Sequence, residues 1–427
     1  MTRTIVHGGP VLDARTGSFH DGVAVVIEQG RVVELLRDGA VPGGDGDARV
    51  IDVAGRHVLP GLIDAHCHLM SRSGVEADAE LVTKSVVDGV LVARRAIEAG
   101  VTTVRDPGCK HRGIYELRRE IAAGRVLGPR TFAAGPNVVG SGAPVDWRNV
   151  FADGPDEVRK VVRKEVLAGA DFVKLVLSHT TGASRWRTCL RYMTDEEIAV
   201  AVSEAHALGV RTGCHCEGLE AARAAVEAGM DVIDHGTWLD EALVARMAEQ
   251  GTVLVPTLWA FSAATHHGYN GTISDAQLPD FAERMSDVHR ASVQRAMAAG
   301  VTIAAGTDPI HWVPAMDLMV REAETLTAAG MGRPDVLRAV TRNGAIALGR
   351  EDELGALEPG CRGDVLVVDG DPASDLRALA RPVLVVKDGQ PLIDLLDDRA
   401  AAERHWAAIA EPQPLSDRQP EVWLERA

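Results

Sequence analysis

The sequence predicts an α/β chain: a (β/α)8 barrel with a small β-sandwich formed by segments from both termini. Three observations predict it. Between about residues 58 and 308, eight short apolar runs alternate with amphipathic stretches, the number and span that such a barrel needs. Gly100, Gly209, Gly251 and Gly300 each separate a helical stretch from a Val or Thr that opens a run, as a residue just past a helix end should. Valine-rich segments punctuated by Gly and Asp lie on both sides of this repeat.

The elements follow in order. The first 57 residues carry short strands, Val23–Ile27 and Arg31–Leu35, around a glycine turn, with further punctuation at Gly43-Gly44-Asp45-Gly46-Asp47. The barrel strands are expected at Val58–Ala65, Val101–Arg105, Arg130–Gly135, Phe172–Leu177, Val210–His215, Asp231–Asp234, Val253–Thr257 and Val301–Gly306. Thr194–Leu208, Leu219–Ala228 and Glu241–Glu249 have helical periodicity between them, and Pro334–Leu348 follows the last strand. Strand-like runs return at Asp364–Val368 and Val383–Val386, with a turn at Lys387-Asp388-Gly389. The domain division is therefore 1–57 with 350–391 as the β-sandwich, 58–349 as the barrel, and 392–427 as a polar tail. Trp406 and Trp423 of that tail would cover a neighbour or the barrel itself.

Composition narrows the function. Hydrophobic residues at 46% and charged residues at 25% are those of a folded globular chain, which excludes a disordered or fibrous one. No apolar run approaches the ~20 residues of a membrane helix, and the first ten residues contain no apolar signal core. A net charge of −16 disfavours nucleic acid and anionic membranes as partners. Six cysteines in 427 residues do not make a disulfide framework, so a reducing, cytoplasmic location is expected. The expected partners are a small-molecule substrate and further copies of the chain in a homo-oligomer.

Barrel enzymes place their chemistry at the C-terminal ends of the strands. The first strand ends in Asp64-Ala65-His66-Cys67-His68, where residues i and i+2 share a face, so that both histidines can reach one ion. The fourth carries Lys174 inside an apolar run, in a chain with six lysines against 39 arginines. A buried ammonium is costly unless it is paired or loses its proton. As a neutral amine it can add carbon dioxide and become a bridging carbamate; the alternatives are an acid partner or an excursion of the side chain to the rim. The fifth strand ends in Gly213-Cys214-His215-Cys216-Glu217, where alternation puts His215 on one face and both cysteines on the other, against a Cys-His-Cys zinc site. His235 closes the sixth and Asp308 the eighth. One ring of strand ends would bring His66, His68, Lys174, His215, His235 and Asp308 together around two divalent ions.

The same residues give the chain its resemblance to the amidohydrolase superfamily, over about residues 4–390. The segments that carry it are Leu59-Pro60-Gly61-Leu62-Ile63-Asp64-Ala65-His66-Cys67-His68, Val101-Thr102-Thr103-Val104-Arg105-Asp106, Lys174, Ala205-His206 with His215, Asp234-His235-Gly236 and Gly306-Thr307-Asp308. Thr341-Arg342-Asn343-Gly344-Ala345, Leu357-Glu358-Pro359-Gly360 and Gly363-Asp364 complete the set. The resemblance is to the prolidase and imidazolonepropionase-like branch. It implies a distorted barrel, a carboxylated Lys174, and two metals held by His66, His68, Lys174, His215, His235 and Asp308. Zinc is the expected metal, with manganese, cobalt or iron compatible. The His-x-x-Glu of the deaminases is absent, since Glu217 comes one place too early. The Gly-Gly-His-Gly of dipeptidase-type members is also absent, and Gly135-Pro136-Asn137-Val138-Val139-Gly140-Ser141-Gly142 stands in its place.

The expected reaction is hydrolysis of an amide, carbamate or urea C–N bond by an activated water. Asp308 would take its proton and deliver it to the leaving nitrogen. Five of seven tryptophans, Trp147, Trp186, Trp238, Trp259 and Trp312, lie at or just after strand ends, which points to a hydrophobic or aromatic substrate or to loop packing. His179, Arg185 and Tyr192 in the loop after the fourth strand are further substrate candidates, as a carboxylate anchor or as a solvated basic loop. Other readings are a Xaa-Pro or Xaa-Arg dipeptidase or N-acyl amino acid hydrolase, a cyclic-amide or lactone hydrolase, and a non-catalytic metal-binding barrel.

Overall fold

The computed structural model describes residues 3–37, 48–70, 79–109, 112–143, 149–179, 190–267, 278–309 and 318–410. Two sheets are built from the chain ends. One has four strands in the order Arg31–Leu36, Ala24–Glu28, Arg3–His7, Ala48–Asp52. The other has six: Gln390–Asp394, Pro382–Lys387, Val365–Val368, His57–Pro60, Val11–Asp13 and Ser18–His20. C-terminal strands thus pair directly with N-terminal ones, Leu366 opposite Leu59. Val25, Ile27 and Val32 of the first sheet share a buried cluster with Val58, Val365, Val367 and Val386 of the second. Two of the hairpins turn where the sequence offers a polar residue before glycine. Gln29 and Gly30 have φ of 51° and 77°, and Asp388 and Gly389 have 48° and 74°. Two successive positive values match the right-handed twist of the flanking strands.

The remaining strands run parallel, apart from the short Leu190–Arg191 that pairs antiparallel with Phe172–His179, and most of them alternate with helices. Leu62–Asp64, Val101–Asp106 and Arg130–Ala133 form one sheet. Phe172–His179, Arg211–Cys216, Val232–His235 and Val253–Val255 follow one another in a second, which also holds Asn137–Val139 and Asn149–Phe151. The helices end and begin as their residues direct. Thr194 and Glu197 form a reciprocal cap at the start of Asp195–Ala207, and Asp240 caps Glu241–Gln250. Gly100, Gly209, Gly251 and Gly300 all have positive φ.

Two expected strands differ. The run from Val58 to Ala65 is two strands, because the chain changes sheets at Gly61. A Cβ there would lie 2.1 Å from Thr102 Oγ1, so glycine permits the close crossing. The Val301–Gly306 run forms only an isolated bridge, Leu254 to Ile303. It changes neighbours along its length: Ala304 N–H donates to Leu254 O (3.0 Å), and Ala305 O accepts from Ala65 N–H (2.9 Å). At the other seam, Asp171 N–H donates to Ala133 O (2.9 Å). The expected Pro334–Leu348 helix is likewise divided, into Arg333–Ala339 and Arg342–Leu348.

In the tail, the helix Arg399–Ala410 lies against its own chain. Trp406 Nε1 donates to Pro382 O (2.8 Å), and the His405 ring bonds Glu98 O (2.8 Å). Trp423 lies outside the described residues. Among the described residues no helix is long and apolar enough to cross a membrane.

Candidate metal centre

Beyond Asp64 the chain leaves its strand, yet His66 and His68 converge. Their Nε2 atoms each lie 3.6 Å from Asp308 Oδ1, and the three groups are placed so that they could hold one cation. Local bonds set this approach. Asp308 N–H donates to His66 O (2.7 Å), and Asp308 has φ of 38°, in the left-handed region. Gly306 makes room, since a Cβ there would meet Val255 Cγ1 at 2.6 Å and His66 Cβ at 2.7 Å. Buried Asp64 ties both segments, accepting from His66 N (3.1 Å), Thr307 N (3.0 Å) and Thr307 Oγ1 (2.5 Å). Burial pushes its carboxyl up to about 7 against those three donors.

Each of these imidazoles has an oxygen near its Nδ1, though for His66 the approach is a charge contact and not a hydrogen bond. His68 Nδ1 faces Gly108 O at 3.2 Å, and His66 Nδ1 faces Asp234 Oδ1 at 3.1 Å. His235 Nδ1 lies 2.7 Å from Thr257 Oγ1, which itself donates to Pro256 O (2.7 Å) and so must accept from the ring. His235 Nε2 is thereby left as an acceptor, buried without a hydrogen-bond partner. Burial, with His215, His66 and Lys174 close by, holds His235 well below the usual imidazole range, so the ring is neutral. A neutral imidazole anchored at one nitrogen and open at the other is what metal ligation requires. The donor set of nitrogens and one carboxylate oxygen suits a borderline divalent cation.

Lys174 lies at the centre, 2% exposed. It ion-pairs with Asp234, so of the readings open for this lysine the structure displays the acid partner. Arg105, also fully buried, donates from Nη1 to Asp234 Oδ1 (3.0 Å) and to Ala65 O (3.1 Å). Burial alone would raise the Asp234 carboxyl, but Arg105, Lys174 and His66 hold it well below the usual carboxylate range. Burial, reinforced by Arg105, lowers the Lys174 ammonium despite its acid partner. His215 Nε2 lies 3.1 Å from Glu217 Oε1. The rings form a row, His179 to His215 at 4.0 Å, His215 to His235 at 4.3 Å, His235 to His66 at 5.0 Å and His66 to His68 at 5.3 Å between centres.

This geometry meets a matching result from comparison with known proteins. The sequence model of the amidohydrolase family matches residues 57–392. The chain belongs to the amidohydrolase family. Its members and structural neighbours are hydrolases acting on carbon–nitrogen bonds. Ochratoxinase of Aspergillus niger is 26% identical over 363 residues, covering 77% of this chain and 73% of that protein. Imidazolonepropionase of Salinispora tropica is 26% identical over 430 residues, covering 92% and 94%. The crystal structure of a Xaa-Pro dipeptidase with bound methionine in its active site superposes with a TM-score of 0.80 at 26% identity, covering 92% of this chain and all of that one.

In this amidohydrolase the expected substrate residues divide. His179 stacks beside His215, and Tyr192 lies 5.9 Å from His179 between ring centres. Trp238 follows His235 closely, its indole N–H buried without a hydrogen-bond partner. Trp259 carries the Arg321 guanidinium 5.4 Å from its ring centre. Trp147, Arg185, Trp186 and Trp312 lie outside the described residues. Sequence reasoning did not assign roles to Asp64, Arg105, Asp234, Thr257 or Glu322. Glu322 is fully buried and accepts from Leu258 N (3.0 Å) and Trp259 N (2.7 Å), the residues that follow Thr257.

Burial pushes the Glu322 carboxyl from 4.5 up to about 8, against those two donors. An acid whose folded pKa exceeds its unfolded one contributes fully below the unfolded value, and that contribution is lost as pH rises toward the folded one. Between about pH 5 and 8, the metal-free wild type should lose stability relative to Glu322→Gln, by up to about 1.4 kcal/mol per pH unit. Urea unfolding of both proteins across that range measures the slope. A pH-independent difference would show that Glu322 does not titrate there.

Proposed function

We propose that this amidohydrolase cleaves the C–N bond of a neutral amide, carbamate or urea bearing a hydrophobic or aromatic group, using two divalent metal ions. The observation that carries the reading is the convergence of His66 Nε2, His68 Nε2 and Asp308 Oδ1 next to the buried, partnerless Nε2 of His235. His66, His68 and Asp308 would hold one ion. His235 through Nε2, and His215 through Nδ1 with its Nε2 on Glu217, would hold the other. Lys174 would bridge them once its amine has added carbon dioxide and released a proton, and Arg105 then remains as the cationic partner of Asp234. Bound divalent cations supply Lewis acidity toward the scissile carbonyl and lower the pKa of a water nucleophile. Asp308, whose side chain is 23% exposed while the histidine rings beside it are 3% and 6%, is the group placed to exchange a proton with a substrate. It takes the proton of the attacking water and delivers it to the leaving nitrogen.

Architecture supports the reading. We read the hydrogen bonds joining Ala65 to Ala305, Leu254 to Ala304 and Asp171 to Ala133 as the seams of a closed (β/α)8 barrel. The two sheets around the shared valine cluster are read as the small sandwich. Trp238 and Trp259 at strand ends favour an aromatic substrate, and the absence of Gly-Gly-His-Gly weighs against a dipeptide. A relative named ochratoxinase and a neighbour described as a Xaa-Pro dipeptidase make an ochratoxin and a Xaa-Pro dipeptide the reference compounds of the carboxylate-bearing half of the test.

The test uses protein stripped with a chelator and reloaded with zinc or manganese. Turnover should fall to background on stripping and return on reloading. In a mass-spectrometric panel it should be confined to neutral aryl amides, carbamates and ureas. Turnover confined to dipeptides and N-acyl amino acids would reject the neutral-substrate reading, and full activity in the stripped protein would reject the metal centre.

A further inference from the structure

A second cleft opens at the other end of the segment that carries Asp308. It encloses about 490 Å³ and is bounded by the start of that segment, Gly300–Ile303, by the Gly330–Gly332 turn, and by Arg15 of the N-terminal sheets. That volume suits a small organic ligand. In a chain of net charge −16, its charged lining is Arg15, Arg338, Arg342 and a single acid, Asp335.

The three guanidiniums are not equivalent. Arg15 is committed to Glu358 by a two-point bond of 2.7 and 2.5 Å. Arg338 bonds Asp335 at 2.6 Å. Arg342 has no hydrogen bond or ion pair among the described residues, and its Nη1 is buried. The rest of this half-buried guanidinium also has no acceptor among the described residues, and an anion in the cleft would supply one. Met297, Ile303, Met331 and Ile346 supply an apolar part of the same lining.

We propose that this cleft is a second ligand site, separate from the metal centre, for a small organic carboxylate with an apolar body. Arg342 binds the carboxylate, and the methionines cover the apolar part. A planar guanidinium pairs with a carboxylate through two parallel bonds, which accounts for arginine in the unpaired position. The proposal is independent of the reaction assigned to the metal centre.

Methionine methyl NMR reads the cleft directly. The metal-loaded full chain is labelled with 13C at the methionine methyls, and the Met297 and Met331 signals are assigned through Met297→Leu and Met331→Leu. Benzoate is the probe, with neutral benzamide and inorganic phosphate as comparisons. Saturable shifts of both methyls are expected with benzoate, with affinity at least about 10-fold weaker for benzamide, for phosphate and in Arg342→Met. No benzoate-dependent shift of these two signals, or equal binding by Arg342→Met, would overturn the proposal. Equal binding of benzamide would remove the carboxylate contact, and equal binding of phosphate would remove the apolar lining from it; either overturns it as stated. Thermal unfolding checks that Arg342→Met is folded. The benzoate, benzamide and phosphate comparison in the wild type decides the matter even where that variant is not.

Discussion

Asp308→Asn is expected to lower kcat by about 10²–10⁴-fold, the usual range for loss of a general acid–base group. The substitution is chosen to leave the framework in place. Asparagine tolerates the left-handed backbone that Asp308 adopts at φ 38°, and the backbone bond from residue 308 to His66 O does not involve the side chain. The thermal midpoint should therefore change little. An amide oxygen can still ligate but cannot take up a proton, so kcat and kcat/KM should fall together while the metal content measured by atomic emission stays near that of the wild type. If kcat falls only in proportion to lost metal, Asp308 is a ligand and another group moves the proton. A kcat near that of the wild type with metal retained would remove Asp308 from the chemistry.

The parts of this site legible in sequence are those that local geometry decides. The His-x-His spacing keeps His66 and His68 close although both lie just past the strand that ends at Asp64, and each βα unit places its last residue at a strand end. Both rules need only neighbours in the chain. What escaped sequence reasoning depends on contacts across the fold. Lys174 inside an apolar strand signals a partner but not which one, and Asp234 meets it from two strands away, with Arg105 arriving from a third. Glu322 reads as the charged face of an ordinary helix, yet it is fully buried beneath the Leu258–Trp259 backbone. Thr257 closes the expected strand Val253–Thr257 with no sign of a role, and only the fold sets it against His235. Gly61 did carry a local signal, Pro60-Gly61, but both halves of that run are apolar enough to read as one strand. The sheet change appears only when Thr102 is seen beneath it.

The pairing of Asp234 leads to the second large effect. Asp234 is the carboxylate at ion-pair distance from both Lys174 and Arg105, and all three side chains are at most 3% exposed. Removing one partner of a buried ionic cluster costs about 3–5 kcal/mol, because the charges left behind have neither water nor a counter-ion. Asp234→Asn in metal-free protein should lose about that much in urea unfolding. The arrangement offers little scope for relaxation. Arg105 stacks 4.2 Å from the centre of the Phe172 ring, and its Nη2 leaves no space for a Cβ on Gly213, which would sit 2.1 Å away. A second substitution separates charge from shape. Adding Lys174→Met removes one stranded cation, so the double variant should regain part of the stability that Asp234→Asn alone has lost. Strict additivity, or a loss below about 1 kcal/mol for Asp234→Asn, would show that the cluster is not held by the charge of Asp234. Because Asp234 also faces His66 Nδ1 at 3.1 Å, the same variant should bind metal more weakly on reloading. That would tie the stability of the buried cluster to the orientation of the first ligand.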